Sequence, residues 1–148
     1  MEQFLSLKNN DKKINKTRRG RKNKLLIVED EKHQRELYEM ELQEEGYNVD
    51  IASNGKEALE KLKNNTYDLI ILDIRMPEMN GIDALGRIFS RNKKIKIIIY
   101  TAFPYYKRNF LTWTADAYII KSSHIDELKE TVREITSNIP FDEQKKLC

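Results

Sequence analysis

The chain has 148 residues, with 27 Lys and Arg, 24 Asp and Glu, and one cysteine. That length suits a single domain with a real core. No apolar stretch approaches the ~20 residues needed to span a bilayer, no signal-peptide segment follows the basic N-terminus, and a lone cysteine excludes an internal disulfide, which together fit a cytoplasmic protein.

The net charge of +3 is unevenly spread: residues 1–24 hold nine Lys and Arg against Glu2 and Asp11. The remainder is therefore acidic, and the two parts are judged separately. Residues 1–23 lack periodicity and have few large apolar groups, so a disordered basic tail is expected there. The patterned region runs over 24–137, and 138–148 reads as a short C-terminal tail.

Lys24–Val28 is predicted as a central strand because its apolar run is continuous. The first helix is predicted over about 32–45, with Leu37, Tyr38 and Leu42 as its apolar stripe and Gly46 as its terminator. Tyr47–Ile51 alternates, as an edge strand with one wet face does. Ser53-Asn54-Gly55 turns the chain into a second helix marked by Ala58, Leu59 and Leu62. The third strand is Leu69–Leu72. Pro77 and Gly81 bracket a loop, after which Ile82, Leu85, Ile88 and Phe89 recur at helical spacing. Ile95–Tyr100 is strongly β-branched and reads as a fourth strand. A short helix is expected after Pro104, Tyr118–Ile120 as the fifth strand, and a last helix over Ile125, Leu128, Val132 and Ile135.

Five strands alternating with five helices imply an α/β fold, a doubly wound parallel sheet with helices on both faces. With the second strand at the edge, the order is 2-1-3-4-5, and the reversal of direction falls between strands 1 and 3. Those two strands end in Glu29-Asp30 and in Asp73. Three carboxylates converging on one spot repel: a unit pair about 4 Å apart costs roughly 4 kcal/mol at an effective dielectric near 20. A hard divalent cation, which prefers oxygen ligands, would relieve that repulsion. Taken alone, Asp73 also has a reading as a turn or capping residue after a strand, which its pairing with Glu29-Asp30 disfavours.

In order along the chain, Glu29-Asp30, Asp73 with Met76-Pro77 and Asn80-Gly81, Thr101-Ala102, and Lys121 after Ala117–Ile120 each stand at or just beyond a strand end. In these motifs residues 24–137 resemble the receiver domain of two-component response regulators, whose order of strands is flavodoxin-like. The resemblance makes Asp73 the phosphoacceptor, charged from a phosphohistidine on a sensor histidine kinase or a histidine phosphotransfer protein. It implies Mg²⁺ held by Glu29, Asp30, Asp73 and the backbone carbonyl of Arg75. It makes Lys121 the cation that contacts Asp73 and then a phosphoryl oxygen. Thr101 would be the switch hydroxyl, and Tyr118 the aromatic that turns with it. Phosphorylation adds about −1.5 to −2 charge and strong acceptors, enough to bias a two-state surface.

Three features depart from the family pattern. Ser122 follows Lys121 where Pro is usual. The stretch between Thr101 and Tyr118 is short, so its helix is expected to be stunted. That stretch is also aromatic-rich, with Phe103, Tyr105, Tyr106, Phe110 and Trp113 as core or as a sticky output face. Phe103 stands two places after Thr101, where a polar side chain could orient a hydrolytic water, so it is expected to shield an acyl phosphate.

The function expected is a signalling module rather than a turnover enzyme, acting on a downstream protein partner. Self-association is expected through the short helix after Pro104, the fifth strand and the last helix. Ile139–Cys148 is too short for an effector domain, so output runs through protein contacts unless the chain is part of something longer. Two other readings stand beside it: a receiver-like scaffold that works without phosphorylation, and an aspartyl-nucleophile phosphotransferase or phosphatase. The last is disfavoured because Arg75 occupies the place of a second, acidic Asp. No glycine-rich loop follows a strand to favour nucleotide binding. The basic tail reads as a solubilising extension, with nucleic-acid contact as its sharper alternative; the absence of aromatic residues between Lys8 and Lys24 weakens base stacking.

Overall fold

The computed structural model describes residues 22–74, 81–92, 94–104 and 110–139. Five strands, β1 (Lys24–Val28), β2 (Asn48–Ala52), β3 (Leu69–Leu72), β4 (Lys96–Thr101) and β5 (Ala117–Ile120), form one sheet. Every pairing is parallel, and the order is β2-β1-β3-β4-β5. The four α-helices among the described residues are α1 (Lys32–Glu44), α2 (Gly55–Asn64), α3 (Gly81–Arg91) and α4 (Asp126–Ser137). None is long and apolar enough to cross a membrane.

The inner strands β1, β3 and β4 are largely apolar because helices cover both faces, whereas the edge strand β2 carries Asn48 and Asp50. Side chains alternate across the sheet, so each strand feeds two cores. Leu26, Val28, Ile70, Leu72, Ile97 and Ile99 pack with Ala58 and Leu59 of α2 and Leu85 and Ile88 of α3. On the other face Leu25, Ile27, Leu69, Ile71 and Ile98 meet Tyr38 and Leu42 of α1 and Leu128 and Val132 of α4. Fully burying each large aliphatic side chain contributes about 1.5–3 kcal/mol. Truncating one of them, Leu69→Ala for example, costs about 2–5 kcal/mol.

Local signals set the helix ends. Glu31 caps α1 by accepting from the backbone N–H groups of His33 and Gln34, at 3.2 and 2.8 Å. Gly46 takes a positive φ of 99° beyond its far end, a conformation that Cβ-bearing residues avoid. Asn54 caps α2 by accepting from Glu57 N at 2.7 Å, while Ser53 Oγ donates back to Glu57 Oε2 at 2.6 Å.

Two expectations are corrected. The fifth helix is absent from the described residues: between β4 and β5 the chain carries a 3₁₀ segment, Phe110–Thr114. Aromatic and β-branched residues such as Thr112, Trp113 and Thr114 lose rotamer freedom in an α-helix, and the connection leaves little length to offset that. Trp113 is 73% exposed on this segment, whereas Tyr105 and Tyr106 lie outside the described residues. Leu37 also leaves the expected stripe and is 44% exposed. Tyr38 and Leu42, four apart, define the buried line of α1, and Leu37 stands about 100° away from it. The loop positions Arg75, Met76, Pro77 and Asn80 fall outside the described residues, as do 1–21 of the basic tail and 140–148 of the C-terminal one.

Candidate functional site

Val28 and Leu72 are paired across β1 and β3, so the next residues, Glu29 and Asp73, leave the sheet side by side. Backbone bonds extend the ladder past the strand ends: Asp73 N donates to Val28 O at 3.1 Å and Glu29 N to Ala52 O at 3.0 Å. Glu29 and Asp73 are 2% and 7% exposed. Asp30 is exposed, yet one oxygen from each of the three carboxylates lies within 4.8 Å of the others. A cluster made of oxygen donors alone fits a hard dication such as Mg²⁺.

Lys121 enters from the end of β5. Its backbone N–H donates to Thr101 O at 2.8 Å, prolonging the β4–β5 pairing. Two residues after buried Ile119, it continues that residue's side of the sheet. Nζ donates to Glu29 Oε1, to Asp73 Oδ2 at 2.9 Å and to Gln34 Oε1 at 2.7 Å. Burial disfavours the ammonium, but the bonds to Asp73 and Glu29 outweigh it and hold Lys121 above its ordinary pKa. Burial likewise pushes the Glu29 carboxyl up, since the charge there has little water around it.

Ser122, in place of the usual Pro, leaves this geometry intact. Its Oγ donates to His124 O at 3.0 Å and accepts from His124 N at 3.3 Å, turning the chain by a serine hydrogen-bonding loop instead.

Thr101 is fully buried at the end of β4, and its Oγ1 accepts from Phe103 N at 3.4 Å. Tyr118 is half-buried against the α2–α3 core, and its OH donates to the carbonyl of Phe103. The peptide groups of Phe103 therefore tie both switch candidates to the loop after β4. By strand alternation Thr101 and Tyr118 belong to the α2–α3 side of the sheet, and Glu29, Asp73 and Lys121 to the other. The metal-ligand role expected of the Arg75 carbonyl lies outside the described residues.

Three further residues complete the site without belonging to any motif. Arg35 Nη1 donates to the carbonyls of Glu29 and Asp30 at 2.9 and 3.3 Å, pinning the turn that carries both acids. Gln34 reaches Lys121 from the first turn of α1. Tyr100, edge-on to Tyr38 with ring centroids 5.3 Å apart, walls the same slot. Helical spacing carries a signal for one of them: Gln34 precedes Tyr38 by four residues and so shares its face.

Comparison with known proteins agrees with this geometry. Residues 25–133 match the family model "Response regulator receiver domain". The chain is 43% identical over 119 residues to the response regulator ArlR of Staphylococcus saprophyticus, covering 79% of this chain and 54% of that protein. It is 40% identical over 118 residues to ArlR of Staphylococcus aureus, covering 78% and 53%. The chain thus spans about half the length of the curated relatives it matches. Among solved structures it resembles the response regulator protein TrrA of Thermotoga maritima in complex with Mg²⁺-BeF, with TM-score 0.74 and 47% identity over 76% of this chain and 98% of that one. A second match, TM-score 0.72 and 47% identity, covering 76% and 97%, is to the complex of histidine kinase ThkA with TrrA. Sheet order, acidic cluster and sequence similarity converge, and the chain belongs to the response regulator receiver domain family.

Proposed function

We propose that Asp73 is the phosphoacceptor of this receiver domain and that its phosphorylation switches a partner-binding surface. The observation that carries this reading is the shared ammonium: Lys121 bridges buried Glu29 and Asp73 within a trio of carboxylates. An Asp73 oxygen attacks the phosphorus of a phosphohistidine on a histidine kinase or phosphotransfer protein. The new P–O bond forms as the P–N bond breaks, and the leaving imidazole retains the electron pair and takes up a proton. Glu29, Asp30 and Asp73, with the Arg75 carbonyl as an expected addition, would hold Mg²⁺, which when bound offsets the charge between nucleophile and phosphoryl group. Lys121 then directs an N–H to a phosphoryl oxygen, and Thr101 offers its hydroxyl. TrrA, similar to this chain, is known with Mg²⁺-BeF and with a histidine kinase, which supports both the ion and the donor.

On this reading the chain is a cytoplasmic signalling module, not a turnover enzyme. Residues 24–137 form the receiver unit, flanked by a basic tail and a short C-terminal one. Output reaches a downstream protein, with self-association through the segment before β5, β5 and α4.

Incubation with Mg²⁺ and a small phosphodonor, followed by intact-mass measurement, tests the assignment. A phosphate-sized gain that disappears in Asp73→Asn is expected. No gain in the wild-type chain favours the scaffold reading, and rapid release of phosphate over many turnovers favours an enzyme. A second expectation concerns lifetime. Phe103→Glu should speed loss of the acyl phosphate by about tenfold, below the roughly 10²–10⁴ available to a well-placed general base. A decay rate equal to wild type would rule out shielding by Phe103.

A further inference from the structure

An ammonium has three N–H groups and no acceptor, and Lys121 commits all three. Two go to the carboxylates Glu29 and Asp73, and the third goes to a neutral amide on α1, Gln34 Oε1 at 2.7 Å. Because the ammonium can only donate, the oxygen of that amide must face it. Tyr38, one turn further along α1, donates its OH to the same Oε1 at 3.0 Å. Tyr38 is itself buried and packed edge-on against Tyr100, and burial pushes its phenol up to about 12, which keeps the proton on the donor. The two rings flank Lys121 Nζ, their centroids 5.7 and 5.9 Å away. The ammonium sits in an aromatic-walled slot with the carboxylates and the amide as its three hydrogen-bond acceptors.

We infer that Gln34 is a positioning residue for the phosphoryl-transfer reaction: by taking the third N–H of Lys121 it keeps the other two aimed at Glu29 and Asp73. The inference rests on Asp73 being the phosphoacceptor. A hydrocarbon at position 34 leaves the third N–H to solvent water. The ammonium can then rotate about the Cε–Nζ bond and drift along the slot. A carboxylate there would add a fourth negative charge and draw Lys121 away from Asp73. A neutral acceptor held from behind by Tyr38 avoids both outcomes.

The test compares wild type and Gln34→Leu, which preserves bulk at a half-buried helical position. Phosphorylation by phosphoramidate at saturating Mg²⁺ is followed by intact mass, Mg²⁺ affinity is measured separately, and urea unfolding is recorded for Gln34→Leu, Lys121→Met and the double variant. The expected result is a phosphorylation rate about tenfold lower, a fraction of what a 1 Å misplacement can cost, with Mg²⁺ affinity changed less than about twofold. The unfolding midpoints should be non-additive, because Gln34 has nothing to hold once Lys121 is gone. A wild-type rate in Gln34→Leu overturns the inference, as does a slower rate with additive midpoints, which would mean that Gln34 acts independently of Lys121. Failure of the wild-type chain itself to take up phosphate instead overturns the reading of Asp73, and the midpoints alone then decide the Gln34–Lys121 contact.

Discussion

Lys121→Met should lower stability by about 3 kcal/mol in metal-free buffer, the low end of what breaking a buried ion pair costs. Lys121 is the cation shared by two carboxylates that are almost wholly out of water. Its removal leaves those charges facing each other within 4.8 Å, with Asp30 as a third. At an effective dielectric near 20, one such pair at about 4 Å repels by roughly 4 kcal/mol. Mg²⁺ should recover much of the loss, because a ligand at 100 times its Kd stabilises by about 2.7 kcal/mol. The ion and the ammonium repel one another, so Mg²⁺ should also bind more tightly to Lys121→Met than to wild type. Urea unfolding with EDTA and with Mg²⁺ reads both effects. Equal stability of variant and wild type in EDTA would show that the carboxylates are held apart by other groups.

The acidic site was legible in the sequence because sheet parity and sheet order are simple rules. Glu29 stands two residues after Ile27, Asp73 two after Ile71 and Lys121 two after Ile119, so all three continue one face of the sheet. The order 2-1-3-4-5 then brings the first two together at the reversal point. Helical contributions were harder to read. A stripe of Leu37, Tyr38 and Leu42 is plausible by composition, but only a residue whose angle matches the sheet is buried, and Leu37 points away. Gln34 belongs to no sequence motif, and only its spacing four residues before Tyr38 sets it apart. Its role depends on where the end of β5 places an ammonium, a contact across 87 positions of chain. The fifth helix, absent from the described residues, has the opposite cause: local propensity after Pro104 was weak, and the alternation of strands and helices suggested a helix that Thr112, Trp113 and Thr114 do not favour.

Parity also separates two tasks that the family resemblance groups together. Glu29, Asp73 and Lys121 lie on the α1–α4 side of the sheet, whereas Thr101 and Tyr118 belong to the α2–α3 side and meet through the backbone of Phe103. A change of charge at Asp73 therefore has a short hydrogen-bonded route to that loop: Lys121 Nζ donates to Asp73 Oδ2, and Lys121 N donates to Thr101 O. On the proposed function, movement of either Thr101 or Lys121 would be felt by both sides.

Gly81→Ala should destabilise the protein by about 2–3 kcal/mol, the upper part of the usual range for overpacking a tight contact, and slow phosphorylation more than tenfold. Gly81 opens α3, and its N–H donates to Ile74 O, closing the chain back on the residue after Asp73. A Cβ at Gly81 would stand 2.3 Å from Ile74 Cα, 2.5 Å from Asp73 O and 2.8 Å from Ile74 O. All three are backbone atoms, so no side chain can rotate aside. Either α3 retreats from the sheet or the turn carrying Asp73 moves away from Lys121 and Glu29. Misplacing a reacting group by about 1 Å can cost 10²-fold in rate, which is why the chemical effect should exceed the one expected for Gln34→Leu. The same helix supplies its own control. Gly86 has nothing within 4 Å of its Cβ position, and it lies in a helix interior where Gly is worse than Ala by roughly 0.5–1 kcal/mol. Gly86→Ala should therefore raise the urea midpoint while Gly81→Ala lowers it. If both substitutions shift it in the same direction, the close approach of Gly81 to the Asp73 backbone is not what fixes this end of the site.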